Sequence, residues 1–287
     1  MNKLKVWIRR FIARHFGYFV ENLLAFKIKF TSFANPPIII LTPGKVGSSS
    51  VYYTLKNKLD HPVFHIHRLS ENGIKDSVDE HLQSDRNSRP LHLIVSNLLR
   101  NKLQKYKGPR YVISIIREPI SRAVSAFFQN TECYKSEIEN GILEINNQKA
   151  LKLLSDKLNH NIIRDLEDWF TKEIEGNLGI NVFEESFSQP NGYHIKRKGK
   201  VHFMLLQMES LDHVFPEAIQ EFLNLPEAIK LEKANIGAEK HYSDSYKEVK
   251  QEITIDKKEL DRIINSRFFQ KFYSDHAEAV MNKWGED

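Results

Sequence analysis

The chain has 287 residues, 41% of them apolar, and a formal net charge of +5. This length suits a single α/β domain with insertions, and the apolar content suffices for one buried core. Cys133 is the only cysteine, which excludes an intrachain disulfide and a cysteine-based metal cluster and favours a reducing compartment.

Most of the positive charge lies in the first 30 residues, where seven basic side chains face a single acidic one, Glu21, for a local net charge of +6. The basic residues are Lys3, Lys5, Arg9, Arg10, Arg14, Lys27 and Lys29. The rest of the chain is therefore close to neutral. A nucleic-acid-binding domain normally spreads a basic stripe over its folded surface, so we expect no nucleic-acid partner.

Apolar residues in the same segment recur at spacings of three and four, which predicts a basic amphipathic helix within residues 1–34. They are Leu4, Ile8, Phe11, Ile12, Phe16, Phe19, Val20, Leu23 and Leu24. Basic residues interrupt the pattern, so it cannot span a bilayer, which needs about 20 mostly apolar residues, and it lacks the apolar core and cleavage site of a secretory signal. Two alternatives remain open: the helix contacts an anionic membrane through residues 1–30, or it packs on the domain with its charges solvated.

Residues 35–287 form one predicted domain in which strand and helix patterns alternate. Strands are predicted at residues 38–41, 62–67, 91–95, 111–116 and 201–208. Helices are predicted from Ser48, from Pro119, over 211–223 and over 257–284. We interpret residues 137–200 as a mostly helical insertion that ends in loop. Strands separated by helices predict an α/β fold, a parallel sheet with helices on both faces.

The first strand runs directly into the stretch PGKVGSSS, Pro43 to Ser50, which precedes a helix. A strand that empties into a glycine-containing turn and then a helix presents backbone N–H groups and a positive dipole end, which suit phosphate or sulfate. The nucleoside triphosphate version of this loop places its lysine after the last glycine. Here Lys45 precedes Gly47, so a nucleotide kinase is disfavoured.

A second pattern follows the strand at 111–116. Arg117 ends that strand, Pro119 begins a helix, and Ser125 stands eight residues after the arginine. A guanidinium can donate two parallel hydrogen bonds to phosphate oxygens, at a helix N-terminus that we expect to favour anions. Ser125, two turns along, offers a hydroxyl donor.

These two patterns together resemble those of sulfotransferases that use 3′-phosphoadenosine 5′-phosphosulfate (PAPS). Their 5′-phosphosulfate loop follows the approximate pattern PKxGTT or PGKxGSS, and their strand-terminal arginine and helix serine hold the 3′-phosphate. The resemblance implies a sulfotransferase fold, P-loop-like in its sheet, with PAPS as donor and no metal. The donor-binding residues it implies are Pro43, Gly44, Lys45, Val46, Gly47, Ser48, Ser49, Arg117 and Ser125.

A narrower resemblance covers later stretches, among them DLEDWFTKEI from Asp165 and KANIGAEKHYSDSYKEVK from Lys233. They are similar to bacterial sulfotransferase-like capsular polysaccharide synthesis proteins that are named for an NKWYS motif. This chain has EKHYS there, so two positions depart, and Lys240, Tyr242 and Ser243 are carried over as a flap near the donor. Taken together, the two resemblances span roughly residues 37–250. The narrower one implies a carbohydrate acceptor and a bacterial cytoplasmic location, at the inner face of the membrane if the N-terminal helix binds there.

Sulfuryl transfer requires charge stabilisation on the leaving oxygen and a base for the acceptor hydroxyl. Lys45 is the predicted catalytic cation. His65 and His67 are the predicted bases, because residues two apart on a strand point to one face, and we prefer His67 because it is nearer the carboxyl end of its strand. His92 and a carboxylate such as Glu173 are alternatives.

Other polar and aromatic residues receive structural interpretations. We expect Glu209 and Asp212 to cap the helix at 211–223, and we expect Trp169, Phe170 and Phe187 to lie in the core. The basic run His194, Lys196, Arg197, Lys198 and Lys200 is interpreted as a solvated loop that would also suit an anionic glycan. A non-catalytic glycan- or membrane-binding protein on the same fold is the competing hypothesis.

Overall fold

The structure is a computed structural model that describes residues 21–83, 91–129, 154, 162–233 and 252–285. Its centre is a five-stranded sheet with the strand order β2-β1-β3-β5-β4. The strands are β1 (Ile38–Leu41), β2 (Val63–Ile66), β3 (Arg110–Ile116), β4 (Tyr193–Lys198) and β5 (Val201–Gln207). Strands β2, β1, β3 and β5 are parallel, and β4 pairs antiparallel with β5 at one edge. The predicted α/β class is therefore confirmed, and the sheet, predicted to be parallel, is parallel except for its edge strand β4.

Ten helices are described around this sheet. They are α1 (described over residues 21–30), α2 (Ser48–Lys58), α3 (Glu71–Gln83), α4 (Leu91–Lys105), α5 (Pro119–Gln129), α6 (Ile162–Trp169), α7 (Leu211–Leu223), α8 (Lys257–Ile264), α9 (Arg267–Phe272) and α10 (Ala277–Trp284). Helix α6 continues without a break into a π-helical stretch, Phe170–Glu175, and a final turn, Gly176–Leu178. Short 3₁₀ turns precede α7 (Met208–Ser210) and α10 (Ser274–His276).

Helices cover both faces of the sheet, which explains why its central strands are mostly apolar rather than alternating. On one face Ile38 and Ile40 of β1 pack in a cluster with Leu55 of α2 and Phe215 of α7. The opposite face is covered by α5, α6 and the C-terminal helices, which contribute Val124, Leu166 and Phe268 to the larger cluster. Because all four residues of β1 are fully buried, this strand fixes where the following loop begins.

Three sequence predictions about secondary structure are wrong. The predicted strand at residues 91–95 is the first turn of α4, because the run LHLIV continues into the helical spacing of Ser96, Leu99 and Leu103, all buried. The basic run predicted to be a loop is the edge strand β4. The predicted long helix over 257–284 is three helices, and Ser266 starts the second of them by accepting a hydrogen bond from the Phe269 N–H.

Helix α1 is fastened to the domain at its C-terminal end. The Lys102 ammonium, on α4, donates to the carbonyl oxygens of Ile28 at 2.6 Å, Lys29 at 3.0 Å and Thr31 at 2.6 Å. A cation at this position satisfies the last carbonyls of a helix and favours the negative end of its dipole. Of helix α1, Ile28 is buried in the domain, whereas Leu23, Phe26 and Phe30 are exposed. Within the described ranges, no helix is both long and apolar enough to cross a bilayer.

We expect Lys102→Met to loosen α1 selectively. The substitution keeps the aliphatic stem but removes a charged donor from three carbonyls, at a cost of about 1.5–3 kcal/mol of local stability. Hydrogen exchange at the amides of residues 27–31 should accelerate accordingly, whereas exchange in β1 and β3 should not change. The matched control is Lys105→Met on the same helix, where the side chain is exposed; equal acceleration in both variants would contradict this role of Lys102.

Candidate active site

The parallel pairing of β1, β2 and β3 brings their carboxyl ends to one edge of the sheet, where α/β proteins bind ligands. Thr42 follows β1, His67 follows β2 and Arg117 follows β3. The sequence-predicted loop, its arginine and its preferred histidine therefore lie together. Each is joined to its neighbours by hydrogen bonds.

The loop between β1 and α2 has an unusual backbone. Gly44 has φ 65°, Lys45 has φ 62° and Gly47 has φ 76°, so three of its residues adopt the left-handed conformation. Glycine does so at little cost, but a lysine does not. Backbone strain of this kind persists where the surroundings enforce it, and it is concentrated at functional sites.

Helix α2 begins without a side-chain cap. Gly47 occupies the N-cap position and has no side chain that could cap the first amides of the helix, and Ser50 N donates to Gly47 O at 3.1 Å. No acidic residue lies in the first turn. An eleven-residue helix that starts in this way presents N–H donors and the positive end of its dipole, which together favour an anion.

Two arginines from the β3–α5 unit hold the loop by its carbonyl oxygens. Arg117 Nη1 donates to Lys45 O at 2.9 Å. Arg122 donates through Nη2 to Pro43 O at 2.8 Å and through Nε to Gly44 O at 3.3 Å. The pKa of Arg122 is lowered by burial to about 10, partly offset by Asp165, so its guanidinium stays charged at neutral pH. Arg122 is a loop-positioning residue that the sequence analysis did not assign.

His67 lies directly against the loop. Its Nδ1 is 2.8 Å from Thr42 O. Because a carbonyl oxygen can only accept, Nδ1 carries the hydrogen, and in the neutral ring the unprotonated nitrogen is Nε2. The indole Nε1 of Trp169 donates to the carbonyl oxygen of His67 at 2.9 Å, which fixes the backbone as well. A Cβ placed on Gly44 would be 3.8 Å from His67 Cε1, so the ring lies beside this part of the loop.

The surroundings of His67 favour its neutral form. Burial lowers the pKa of His67 from the usual 6.5, the hydrogen bond to Thr42 opposes this, and the charges of Arg68, Arg122 and Lys45 lower it further. A neutral imidazole with a fixed tautomer has the properties of a general base. The same cations that disfavour imidazolium favour an anion bound beside it.

The other two predicted histidines are near neighbours of His67. The His65 ring centroid is 5.0 Å from that of His67 and 5.6 Å from that of Tyr52. Burial lowers the pKa of His65 to about 4, and its Nε2 is buried with no hydrogen-bond partner in the described part of the chain. His92 belongs to α4 rather than to a strand, yet its ring lies 6.2 Å from that of His67. Geometry thus favours His67 over His65, because His67 bonds Thr42 O at the start of the loop, whereas His65 Nε2 has no hydrogen-bond partner among the described residues.

Glu173 has a structural role in this arrangement. It is fully buried, and Oε2 accepts from Leu69 N at 2.6 Å and Ser70 N at 2.8 Å, while Oε1 accepts from Ser70 Oγ at 2.8 Å. The carboxylate lies 3.9 Å from Arg68. It therefore ties the π-helical stretch to the turn between β2 and α3 and supports the position of His67, rather than serving as the alternative base.

The N-terminus of α5 is not the open anion site that the sequence suggested. The carboxylate of Glu118 accepts from Ile120 N at 2.6 Å and Ser121 N at 2.8 Å and so occupies the first amides of α5. Glu209, expected to cap α7, accepts instead from Glu118 N and from the Tyr273 hydroxyl, each at 2.9 Å. Arg117 and the half-buried Ser125 remain as the predicted phosphate contacts on this side.

Several predicted residues contribute to structure or lie outside the described part. Trp169 and Phe170 are buried and Phe187 packs against the core, as expected. Of the basic run, Lys196 pairs with Glu185 at 2.9 Å, Lys198 donates to Gly179 O and Lys200 donates to Lys107 O at 2.6 Å, which reduces its availability for a glycan. Asp212 pairs with Lys233 at 2.9 Å. Val46 and Ser48 are buried in the loop, and Ser49 is half-buried.

Some predictions cannot be placed. Lys240, Tyr242 and Ser243, predicted as a flap, lie outside the described residues. Most of the N-terminal helix and the first part of the predicted insertion also lie outside them. Across the ranges that the structure describes, no cluster of three or more histidine, cysteine, aspartate or glutamate side chains could hold a metal ion.

Comparison with known families gives one match. Residues 142–274 match the family model NKWYS, described as "Putative capsular polysaccharide synthesis protein". The matched part contains Trp169, Glu173, Glu209 and Tyr273, but not the β1–α2 loop, His67 or Arg117. No curated protein and no solved structure matches the chain. The family match and the site geometry are therefore separate observations from different parts of the chain.

The contact between Glu173 and α3 predicts a large effect of Gly73→Ala. A Cβ at Gly73 would lie 2.0 Å from Glu173 Oε1 and 2.6 Å from Ser70 Oγ, so the buried carboxylate would have to move and lose hydrogen bonds. We expect a loss of about 1–3 kcal/mol in the free energy of unfolding, measured by denaturant titration.

Gly176→Ala is the matched control for this substitution. Gly176 is helical, with φ −62°, and its added Cβ would lie 3.4 Å from Thr171 O. Its unfolding free energy should stay within about 1 kcal/mol of the wild-type value. If Gly73→Ala were as stable as this control, the tight packing around Glu173 would be refuted.

Proposed function

We propose that the protein is a PAPS-dependent sulfotransferase that acts on a hydroxyl of a carbohydrate acceptor in the synthesis of a capsular or other surface polysaccharide. The observation that carries this proposal is the left-handed loop from Gly44 to Gly47, which leads into the uncapped N-terminus of α2 and is clamped by Arg117 and Arg122. The description of the matched family supports the polysaccharide context. The reaction, donor and acceptor are our inference.

The donor set of this loop fits a phosphosulfate better than a triphosphate. Backbone amides at the start of α2, the Lys45 ammonium and the nearby guanidinium groups supply positive charge over a short distance. Arg117 and Ser125 are the residues that would hold the 3′-phosphate. When bound, the donor supplies a sulfuryl group attached to a phosphate leaving group.

The chain's own residues would then carry the proton and charge transfers. His67 Nε2 takes the proton of the acceptor hydroxyl as its oxygen forms the new bond to sulfur. Lys45 neutralises the negative charge that develops on the bridging oxygen as its bond to sulfur breaks. Arg122 keeps the loop in its left-handed conformation, and burial keeps His67 neutral before the reaction. Positioning and charge stabilisation supply most of the rate, as in phosphoryl transfer.

Binding of the bisphosphate product tests the site directly. At about 100 times its Kd, 3′-phosphoadenosine 5′-phosphate should stabilise the protein by about 2.7 kcal/mol, a rise in Tm of about 5 °C or more. ATP with Mg²⁺ should give a much smaller shift. Arg117→Ala should lose most of the shift, whereas Arg110→Ala, at the opposite end of the same strand, should keep it. No shift with the bisphosphate, or equal shifts in the two variants, would sink the proposed site.

The pH dependence of transfer tests His67 as the base. The pKa of His67 lies below the usual 6.5, so the ring should still be neutral at pH 6.5. The value of kcat/KM should therefore fall only when the pH drops through the lowered pKa of His67. His67→Asn retains a side-chain N–H for Thr42 O but lacks Nε2, and should lose about 10²–10⁴-fold in kcat/KM together with the acidic limb. Lys45→Ala should lower kcat while retaining the acidic limb. The measurement is labelled sulfate transfer onto a glycan panel, and an unchanged pH profile in His67→Asn would assign the base elsewhere.

A further inference from the structure

Helix α1 has two dissimilar sides. Ile28 is 5% exposed and packs into the domain, and the Lys102 ammonium fixes the C-terminal turn. On the other side Leu23, Phe26 and Phe30 are 53%, 64% and 63% exposed. Residues three, four and seven apart share one helix face, so these three side chains form one stripe, hereafter the apolar stripe.

The apolar stripe is aromatic and is flanked by cations. The rings of Phe26 and Phe30 contact each other with centroids 4.4 Å apart. Lys27 and Lys29 are exposed beside the stripe, and the Lys29 ammonium lies 5.5 Å from the centre of the Phe30 ring. Large aromatic side chains that face solvent on a firmly docked helix indicate an interaction surface.

The sequence before α1 continues the same pattern. Going backwards from Phe30, Phe26 and Leu23, apolar residues recur at spacings of three and four through Phe19, Phe16, Ile12 and Ile8. Residues 1–20 contain five lysines and arginines and no aspartate or glutamate. A second copy of this segment would be repelled by the like charges, whereas an anionic lipid surface would attract them.

We propose that the apolar stripe of α1, together with Lys27 and Lys29 beside it, docks the protein on an anionic membrane surface. Phe26, Phe30 and Leu23 insert at the boundary between headgroups and acyl chains, and the two lysines contact anionic headgroups. Lys102 and Ile28 fasten α1 to the domain, so membrane docking through α1 places the folded domain itself at the membrane. This inference does not depend on the proposed sulfuryl transfer.

Co-sedimentation of the full chain with lipid vesicles tests the proposal. The protein should bind vesicles of phosphatidylcholine mixed with phosphatidylglycerol, and should bind vesicles of phosphatidylcholine alone much more weakly. Added salt should weaken the binding, because it screens the headgroup charge. The double variant Phe26→Gln/Phe30→Gln should lower the partition coefficient for anionic vesicles by about tenfold or more, and Lys27→Gln/Lys29→Gln should lower it by less, since five basic residues remain upstream.

Met281→Gln is the matched control, since Met281 is 40% exposed on α10, far along the chain from the apolar stripe. It should bind vesicles as the wild type does. The phenylalanine double variant should keep the wild-type Tm and the bisphosphate response, because its substituted side chains face solvent. Equal vesicle binding by the wild type and the double variant would overturn the proposal. The proposal would also be overturned if the wild type were a dimer and the double variant a monomer. A lower Tm of the double variant would show that another part of the chain covers the stripe, and this result would overturn the proposal as well.

Discussion

The carbonyl oxygens of three successive loop residues, Pro43, Gly44 and Lys45, all accept hydrogen bonds from guanidinium groups. These bonds hold the loop after β1 against the unit formed by β3 and α5. They explain how Lys45 keeps a left-handed backbone that costs a non-glycine residue about 1–2 kcal/mol. The sharp turn that results leads into the uncapped start of α2, so the anion-favouring geometry depends on this contact.

A second set of contacts fixes the histidine side of the site. Trp169 and Glu173 lie on the helical segment that runs from α6 into the π-helical stretch, and they bond to the backbone at His67, Leu69 and Ser70. A π-helical turn inside an α-helix is frequent at functional sites, and here it carries a buried carboxylate to the end of β2. The segment predicted as an insertion thus fixes the backbone on the histidine side of the site.

Three carboxylates near the site are hydrogen-bonded to protein groups. Glu118 caps α5, Glu209 bonds Glu118 N and the Tyr273 hydroxyl, and Glu173 bonds the turn before α3. Burial raises the pKa of Tyr273 well above its ordinary value, and Glu209 adds to this effect, so the phenol remains a donor. The positive charges of Lys45, Arg68 and Arg122 act on His67 and on an anion that binds beside it.

The amino-acid sequence determined the elements whose signals are local. Ile38–Leu41 had to be a buried strand, Gly44 and Gly47 had to bound a turn, and Arg117 had to follow a strand, because apolar runs, glycines and Pro119 act over a few residues. The predictions for short or polar elements were wrong. The run at 91–95 is too short to distinguish strand from helix, and β4 is a polar edge strand whose pairing partner, not its composition, makes it a strand. Only the tertiary structure decided that Arg122 clamps the loop, that Glu173 is structural and that Phe26 and Phe30 face outward. The outward face of α1 follows from the contacts of Ile28 and Lys102 on its other side. The bonds of Arg122 and Glu173 join groups far apart in the chain, and they form only once the parallel strands have brought their carboxyl ends to one edge.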